Sequence, residues 1–297
     1  MQKVLSFGEV LWDVINGQAY IGGAPFNLTG HLAQLGEDAF LYSKVGGDSL
    51  GIRAWQEITN LGVGTKYVKI DDRYPTGTAI VTLNEQGIPS YSFPDGVSYQ
   101  HIDADSAAFR SIRNEAFSLF YFGSMVQMAE ESRDTLFRIL ETCPFPEIFF
   151  DVNVRRGFCP REMVETSLRY ATILKLNEEE AQRFGALLPG GAGEAEMVCS
   201  LFAQYDQLRC VLVTRGPRGC TVYSRGEMRD INECVSKAVD TVGAGDAFSA
   251  GFISGLLAGW DLFRSARCGG ILSDFVAASN GAIPAYPDAL RERLRSC

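Results

Sequence analysis

Nearly continuous apolar runs alternate with helix-period segments along most of the chain, and this alternation restricts the fold more than any other feature. Strands that helices cover on both faces are apolar throughout. The apolar runs predict strands at Val4–Phe7, Phe40–Val45, Phe117–Phe122, Ile148–Val152, Ile173–Leu176 and Cys210–Thr214. The segments between them predict helices at Ala24–Leu35, Ser49–Leu61, Glu130–Glu141, Pro160–Tyr170 and Glu178–Phe184. This order predicts an α/β fold with a doubly wound, mostly parallel sheet and helices on both faces.

One stretch departs from this alternation. Thr78–Leu83 and Pro89–Phe93 flank a turn at Asn84–Gly87 with no helix between them, which predicts a β-hairpin. A small sheet inserted into a doubly wound domain can be a lid that excludes water from a site, or an edge hairpin without that role, and the sequence leaves both open. We expect one domain over residues 1–297, with a lid insertion at about 14–20 and 75–100.

Composition excludes several classes of protein. The net charge of −9 argues against nucleic acid and anionic membranes as partners, because both need a basic face. The 8 cysteines form no C-x-x-C pair and the chain has only 2 histidines, which disfavours a zinc site and a disulfide framework. Glu9 and Asp13 interrupt the apolar start, so Met1–Val14 is interpreted as a first strand and not a signal peptide. We expect a cytoplasmic protein.

The segment Asp240–Phe248 indicates chemistry most clearly. Gly243, Ala244 and Gly245 precede an apolar helix of small residues, where bare amides and the helix dipole favour an anion such as phosphate. Asp246 on the first turn is either a helix cap or a base that takes the proton of an attacking hydroxyl. Capping alone does not require two glycines before the Asp, so we favour the base.

Other Gly-rich motifs fit this segment less well. Phe248 stands where a dinucleotide fingerprint needs its third Gly, which disfavours a nicotinamide dehydrogenase. The patterns G-x-x-x-x-G-K-[ST] and H-E-x-x-H are absent from the chain.

Two N-terminal segments offer polar groups. Gly22 and Gly23 precede Pro25, which suits the first position of a helix and places Asn27 in its first turn. The Asn27 amide either hydrogen-bonds a polyol or satisfies local backbone. Asp13 follows the first predicted strand, where open α/β sheets bind ligands, and it either clamps two sugar hydroxyls or is an exposed loop residue.

Three further segments end strands at the same predicted edge of the sheet. Taken singly, such polar residues are more often solvated loops or helix caps, and their convergence at one edge is what points to a site. The segments are Asp151–Arg155 with Asn153 and Arg155, Lys175–Glu180 with Asn177 and Glu180, and Val213–Gly219.

These motifs resemble those of the ribokinase-like (PfkB) family of sugar and nucleoside kinases. Asp240–Phe248 is similar to the family's C-terminal signature and Gly22–Gly36 to its N-terminal one, and the similarity extends along essentially the whole chain. Gly8–Asp13 together with Gly22–Asn27 is most similar to the fructokinase branch. The resemblance implies transfer of the γ-phosphoryl group of ATP to a hydroxyl of a hexose, with fructose as the best candidate.

The resemblance also implies roles for the matching positions. Asp246 is expected to be the base, beside an anion hole formed by Gly243, Ala244 and Gly245. The expected substrate contacts are Asp13, Gly22, Gly23, Asn27, Asn153 and Arg155. The expected nucleotide contacts are Asn177, Thr214, Arg215, Gly216 and Gly219. The expected metal contacts are Glu180 for Mg²⁺ through water, and Asp240 with the Val242 carbonyl for a monovalent cation such as K⁺.

The hairpin would then be a lid, and family members often dimerise through their lids, so a homodimer is expected. Two departures from the family concern the adenine contacts and cation dependence. Arg215 stands where many members have a small or apolar residue, and Ser273-Asp274 stands where relatives often have Gly-Ala.

The alternatives are a kinase for 2-keto-3-deoxygluconate, ribose or a nucleoside, and a sugar-binding relative without turnover. An acid sugar would demand cations near the lid, and Arg73 is the only basic residue just before it.

Overall fold

The structure is a computed structural model that describes residues 2–15, 17–83, 89–154, 160–187, 193–234 and 236–297. Its strands are β1 (Lys3–Phe7), β2 (Leu11–Ile15), β3 (Gln18–Gly22), β4 (Asp38–Gly46), β5 (Gly64–Asp71), β6 (Gly77–Leu83), β7 (Pro89–Ser92), β8 (Leu119–Gly123), β9 (Glu147–Asp151), β10 (Ile173–Asn177), β11 (Cys210–Thr214), β12 (Cys220–Ser224) and β13 (Glu227–Ile231). Its helices are α1 (Ala24–Leu35), α2 (Ser49–Asn60), α3 (Ser106–Glu115), α4 (Glu130–Thr142), α5 (Arg161–Leu168), α6 (Glu178–Leu187), α7 (Glu194–Gln204), α8 (Ala244–Leu257), α9 (Leu262–Ala277) and α10 (Asp288–Arg295).

The larger of two sheets confirms the predicted mostly parallel architecture. Among the described residues it has nine strands in the order β13-β12-β11-β10-β9-β8-β1-β4-β5. Neighbours from β11 to β5 run parallel, and β12 and β13 add an antiparallel edge. Because β1 lies between β4 and β8, the winding reverses there, and ligands of open α/β sheets bind at the carboxyl ends beside such a reversal.

Helices cover both faces of this sheet, as predicted. Successive strand residues point to opposite faces, so Leu5 and Phe7 join one buried cluster while Val4 joins another. Helices α3 to α7 contribute to the first cluster, and α1, α8, α9 and α10 contribute to the second. Burial on both faces explains why the strand segments are apolar throughout. Within the described ranges, no helix has both the length and the apolar character needed to cross a membrane.

The expectation of a single first strand over Met1–Val14 is wrong. The described residues of this segment form β1 and β2, which belong to different sheets. The chain changes direction after Gly8, whose φ is +150° and where a Cβ would lie 2.5 Å from Pro25 Cγ. Each strand is mostly apolar, so hydrophobicity alone did not reveal the break. Asp13 therefore lies within β2, not beyond the end of a strand of the larger sheet.

The predicted hairpin is confirmed as β6 and β7, within a smaller sheet of order β3-β2-β6-β7. The expected turn at Asn84–Gly87 lies outside the described residues. Besides the predicted hairpin, this sheet contains β2 and β3, because β2 pairs parallel with β6 and antiparallel with β3. On one face, Leu11 and Ala79 pack against Val97 and Tyr99, which fixes this sheet to the segment that follows it.

Lys44 of β4 contacts two segments that flank the β6–β7 hairpin. Asp71 at the end of β5 precedes the hairpin, and Asp103 follows it. The Lys44 ammonium lies 3.0 Å from Asp71 Oδ2 and 2.7 Å from Asp103 Oδ1, and it donates to the His101 carbonyl at 2.6 Å. Partial burial alone would raise the pKa of Asp103, but hydrogen bonds from Lys44 and Lys69 outweigh burial and lower that pKa to about 2. Both carboxylates are thus ionised partners of one buried ammonium.

Replacing Lys44 by Met should lower the free energy of unfolding by about 3 kcal/mol, because buried Asp71 would keep only the exposed Arg73 side chain and backbone amides as partners. The matched control is Lys69→Met at the register partner on β5, where the lysine and its partners Asp103 and Asp105 are more exposed. We expect that control to lose less than about 1 kcal/mol. Urea unfolding followed by circular dichroism measures both, and equal losses would contradict the role given to burial.

Candidate active site

The anion-binding turn predicted before α8 is present and open to solvent. Gly243 is the residue before the helix and has a left-handed backbone, with φ of +78°. A Cβ there would lie 2.7 Å from the Ala282 carbonyl oxygen, so both conformation and space require glycine. Gly245 is exposed, although the helix that follows is buried. The Ala244 amide already donates to the Thr241 carbonyl at 3.2 Å, so exposed Gly245 is the part of the turn most accessible to an anion at the positive end of the helix.

Asp246 meets Asn27 directly. The Asp246 carboxylate is 6% exposed, and its Oδ2 accepts a hydrogen bond of 2.8 Å from Asn27 Nδ2 on the first turn of α1. The two predicted signatures, 219 residues apart, thus share one contact. Asn27 Oδ1 is buried and has no hydrogen-bond partner among the described residues. A buried acceptor of this kind is normally satisfied, so a ligand hydroxyl is its natural partner.

Asp13 and the two glycines before α1 lie together. A Cβ on Gly22 would lie 2.9 Å from Asp13 Oδ2, which places this carboxylate over the start of the helix that carries Asn27. Gly23 has φ of +109°, and a Cβ there would lie 2.5 Å from the Glu9 carbonyl oxygen. The carboxylate of Glu9 also accepts from the Ala24 amide at 3.3 Å, a helix-capping role that the sequence analysis missed.

Asn177 and Glu180 form a reciprocal cap at the start of α6. The Glu180 amide donates to Asn177 Oδ1 at 2.8 Å, and the Asn177 amide donates to Glu180 Oε2 at 2.8 Å. Glu180 Oε1 accepts from the Val154 amide at 2.6 Å, which joins α6 to the segment after β9. Burial raises the pKa of Glu180, although these amide hydrogen bonds oppose the shift.

Lys175, which no predicted role singled out, lies beside the candidate site. It is buried, and its Nζ lies 3.0 and 2.8 Å from the two carboxylate oxygens of Asp151. A Cβ on Gly245 would lie 3.6 Å from this Nζ, so the ammonium is directly behind the anion-binding turn. Burial alone would lower the pKa of Lys175, but Asp151 outweighs burial and holds that pKa above its ordinary value. A lysine inside an otherwise apolar strand was the signal in the sequence.

The predicted nucleotide loop follows β11. The Arg215 amide donates to the Gly219 carbonyl at 2.8 Å, and both Gly216 and Gly219 have positive φ. The guanidinium of Arg215 bonds to Glu178 of α6 at 3.4 Å, to Glu194 of α7, and to the Thr221 hydroxyl at 3.1 Å from Nε. This side chain joins two helices to the sheet, so a nucleotide contact through it stays a prediction.

The segment before the anion-binding turn is fixed by carboxylates. Asp240 accepts from the Val242 amide at 3.0 Å and from the Gly281 amide at 3.2 Å. Asp274, one of the residues that depart from the family pattern, is buried and accepts from the Ser236 amide and hydroxyl at 3.0 and 2.9 Å. No three His, Cys, Asp or Glu side chains are grouped to hold a metal in the part of the chain that the structure describes.

Two predicted substrate contacts lie just past β9. Asn153 has φ of +40°, a left-handed conformation that is uncommon for a residue with a side chain. Its carbonyl oxygen lies 3.4 Å from the Ser124 hydroxyl. Arg155 lies outside the described residues, so its assignment to the substrate stays a prediction.

Comparisons with known proteins identify the family of this chain. The family model described as pfkB family carbohydrate kinase matches residues 2–289. A fructokinase of Escherichia coli is 30% identical over 242 residues, covering 79% of this chain and 76% of that protein. An ATP-dependent 6-phosphofructokinase of Thermoanaerobacterium thermosaccharolyticum is 29% identical over 304 residues, covering 96% and 91%.

A solved structure of a fructokinase with bound ATP from Xylella fastidiosa superposes with a TM-score of 0.86 at 21% identity, covering 99% of this chain and 98% of that one. At that identity the likeness concerns the fold. Because the family model spans nearly the whole chain and both family signatures meet at the Asn27–Asp246 hydrogen bond, this protein belongs to the pfkB family of carbohydrate kinases.

Proposed function

We propose that this carbohydrate kinase transfers the γ-phosphoryl group of ATP to a terminal hydroxymethyl group of a hexose, and that the hexose is fructose. The hydrogen bond between Asn27 and Asp246 carries the proposal, because it joins the sugar-side helix α1 to the anion-binding turn of α8. A sugar hydroxyl that donates to Asn27 Oδ1 would lie beside the Asp246 carboxylate. Fructose is favoured by two relatives named fructokinase, at 30% and 28% identity.

Asp246 is the base of the proposed reaction. The helix N-terminus favours an ionised carboxylate, and Asn27 orients it by a charge-assisted hydrogen bond. The sugar oxygen forms a bond to the γ-phosphorus, the bond from that phosphorus to the bridging oxygen breaks, and ADP leaves. The hydroxyl proton passes to Asp246. The turn at Gly243–Gly245, at the positive end of α8, stabilises the charge on the transferring group, so the protein acts mainly by position and electrostatics.

ATP would bind along the carboxyl ends of β10 and β11, beside Asn177 and the loop from Thr214 to Gly219. Mg²⁺ arriving with ATP keeps several waters and uses one or two protein carboxylates, which suits Glu180 because each of its oxygens retains a lone pair beyond its amide contact. By the same reasoning, Asp240 and the Val242 carbonyl would hold a monovalent cation such as K⁺ next to the turn.

The smaller sheet would act as the lid of this site, since its strand β2 carries Asp13. Its opposite face bears an apolar strip in which Val14 pairs with Ala19 of β3 and with Ile80 of β6. Ile80 is 43% exposed. A second copy of the chain covering this strip would bury it, and we propose a homodimer through the lids.

A panel of sugars tests the substrate. ADP release should be slower with fructose 6-phosphate and 2-keto-3-deoxygluconate than with fructose, because Arg73 before the lid is already paired with Asp71 and offers little to an anionic substrate. It should also be slower with ribose and a nucleoside, because the relatives that favour fructose are named fructokinase. To test the proposed monovalent cation site, each assay is run in KCl and in choline chloride, and ADP release should be faster in KCl. Sugar binding without ADP release would instead indicate a relative that lacks turnover.

The variants Asp246→Asn and Asp13→Ala should distinguish the role of the catalytic base from that of a sugar-binding residue. Asp246→Asn keeps an oxygen for Asn27 but loses the base, so kcat should fall roughly 10²–10⁴-fold with sugar affinity nearly unchanged. Asp13→Ala removes an acceptor from the polyol, so KM for the sugar should rise by roughly tenfold or more. Steady-state kinetics and calorimetric titration of the sugar measure both. Retained turnover in Asp246→Asn would reject the base, and a change confined to the KM for ATP would reject the placement of Asp13.

Ile80→Asp should convert a dimer into monomers, because the new carboxylate would be desolvated in the proposed interface. Sedimentation velocity of the full chain measures the change. Ile70→Asp is the matched control, since Ile70 is 55% exposed on β5 of the larger sheet and outside the strip. A monomeric wild-type protein, or dimers that tolerate Ile80→Asp, would contradict the proposal.

A further inference from the structure

Asp151, the last residue of β9, is the centre of a buried network beneath the anion-binding turn. Its side chain is 1% exposed. Besides the two contacts with Lys175 Nζ, its Oδ2 lies 3.2 Å from the Tyr121 hydroxyl and 3.1 Å from the Ser249 hydroxyl, which both donate to it. One carboxylate therefore holds three donors in a region from which water is excluded.

These donors come from separate elements. Tyr121 belongs to β8, Lys175 to β10 and Ser249 to the second turn of α8. The Ser249 hydroxyl also lies 3.1 Å from the Gly245 carbonyl oxygen, so it touches the backbone of the first turn as well. The hydroxyl has one proton to donate, and the charged carboxylate of Asp151 is a stronger acceptor than the neutral carbonyl of Gly245. Asp151 thus connects three adjacent strands to the helix that carries the anion-binding turn.

Stability alone does not explain a buried charge pair at this place. Desolvating an ammonium and a carboxylate costs about as much as their attraction returns, and apolar residues of similar volume often stabilise a core better. Lys175 also lies 3.6 Å from where a Cβ of Gly245 would be, so its positive charge is next to the site where phosphoryl charge develops. A charge fixed there before the reaction requires no reorganisation during it.

We propose that Asp151 is a positioning residue for phosphoryl transfer, acting through Ser249 and Lys175. By holding the hydroxyl it fixes the first turns of α8 against the sheet, and by holding the ammonium it keeps a positive charge behind Gly245. This proposal rests on the carbohydrate-kinase function proposed above. It concerns the geometry of the turn and not the proton transfer itself, which belongs to Asp246.

The test compares two serines of the same helix. Ser249→Ala removes the link to Asp151 and should lower kcat by about tenfold (about 1.4 kcal/mol), with KM for fructose and ATP within about twofold. Ser254→Ala is the matched control, because Ser254 also lies on α8 and donates to a carboxylate, Glu37 Oε1, at 2.6 Å outside the site. We expect that control to keep the wild-type kcat. Asp151→Asn, which leaves Lys175 without its charged partner, should lower kcat by about a hundredfold if it folds.

Amide hydrogen exchange over residues 243–249, measured on the full chain without substrate, makes the test independent of turnover. Ser249→Ala should exchange faster in this segment than Ser254→Ala at similar melting temperatures. Unchanged exchange and kcat in Ser249→Ala, or equal effects of both substitutions, would overturn the positioning role. An inactive wild-type protein in which Ser249→Ala still exchanges faster would reject the kinase function and retain the role of Asp151 in shaping the turn.

Discussion

The hydrogen bond from Asn27 Nδ2 to Asp246 Oδ2 is the contact on which the rest of the site depends. It joins the first turns of α1 and α8, two helices that pack together on one face of the larger sheet. Both side chains are buried and the bond is charge-assisted, so neither group can rotate without losing it. The groups proposed for the hydroxyl and for the phosphoryl group are therefore held in one geometry before a substrate binds.

Many polar side chains around this contact serve the fold as well as the proposed chemistry. Glu180 fixes the start of α6, Glu9 caps α1, and Asp240 holds the segment before the anion-binding turn to Gly281. The buried carboxylate of Glu180 is tolerated here because a backbone amide donates to each of its oxygens. The same carboxylates thus order the loops at the strand ends, beside a turn in which Gly245 is exposed.

Residues close in sequence were predicted well, and residues whose partners are distant were predicted poorly. The helix Ala24–Leu35 and the strand Cys210–Thr214 have the predicted bounds, because apolar periodicity is a local property. Asp13 was predicted to follow a strand and instead lies within β2, because the pairing of β2 with β3 and β6 depends on residues distant in sequence. Lys175 was passed over because a lysine acquires its role only from Asp151 on a neighbouring strand and from the turn above it.

The sequence by itself determined the parallel sheet and the anion-binding turn. Both follow from short-range properties, namely apolar runs of strand length and glycines directly before a small-residue helix. Only the tertiary structure decided that Asn27 bonds to Asp246, that the smaller sheet recruits β2 and β3, and that a buried ammonium stands behind Gly245. These relations join residues far apart along the chain, and their geometry is set by how strands and helices pack, which no local pattern of residues encodes.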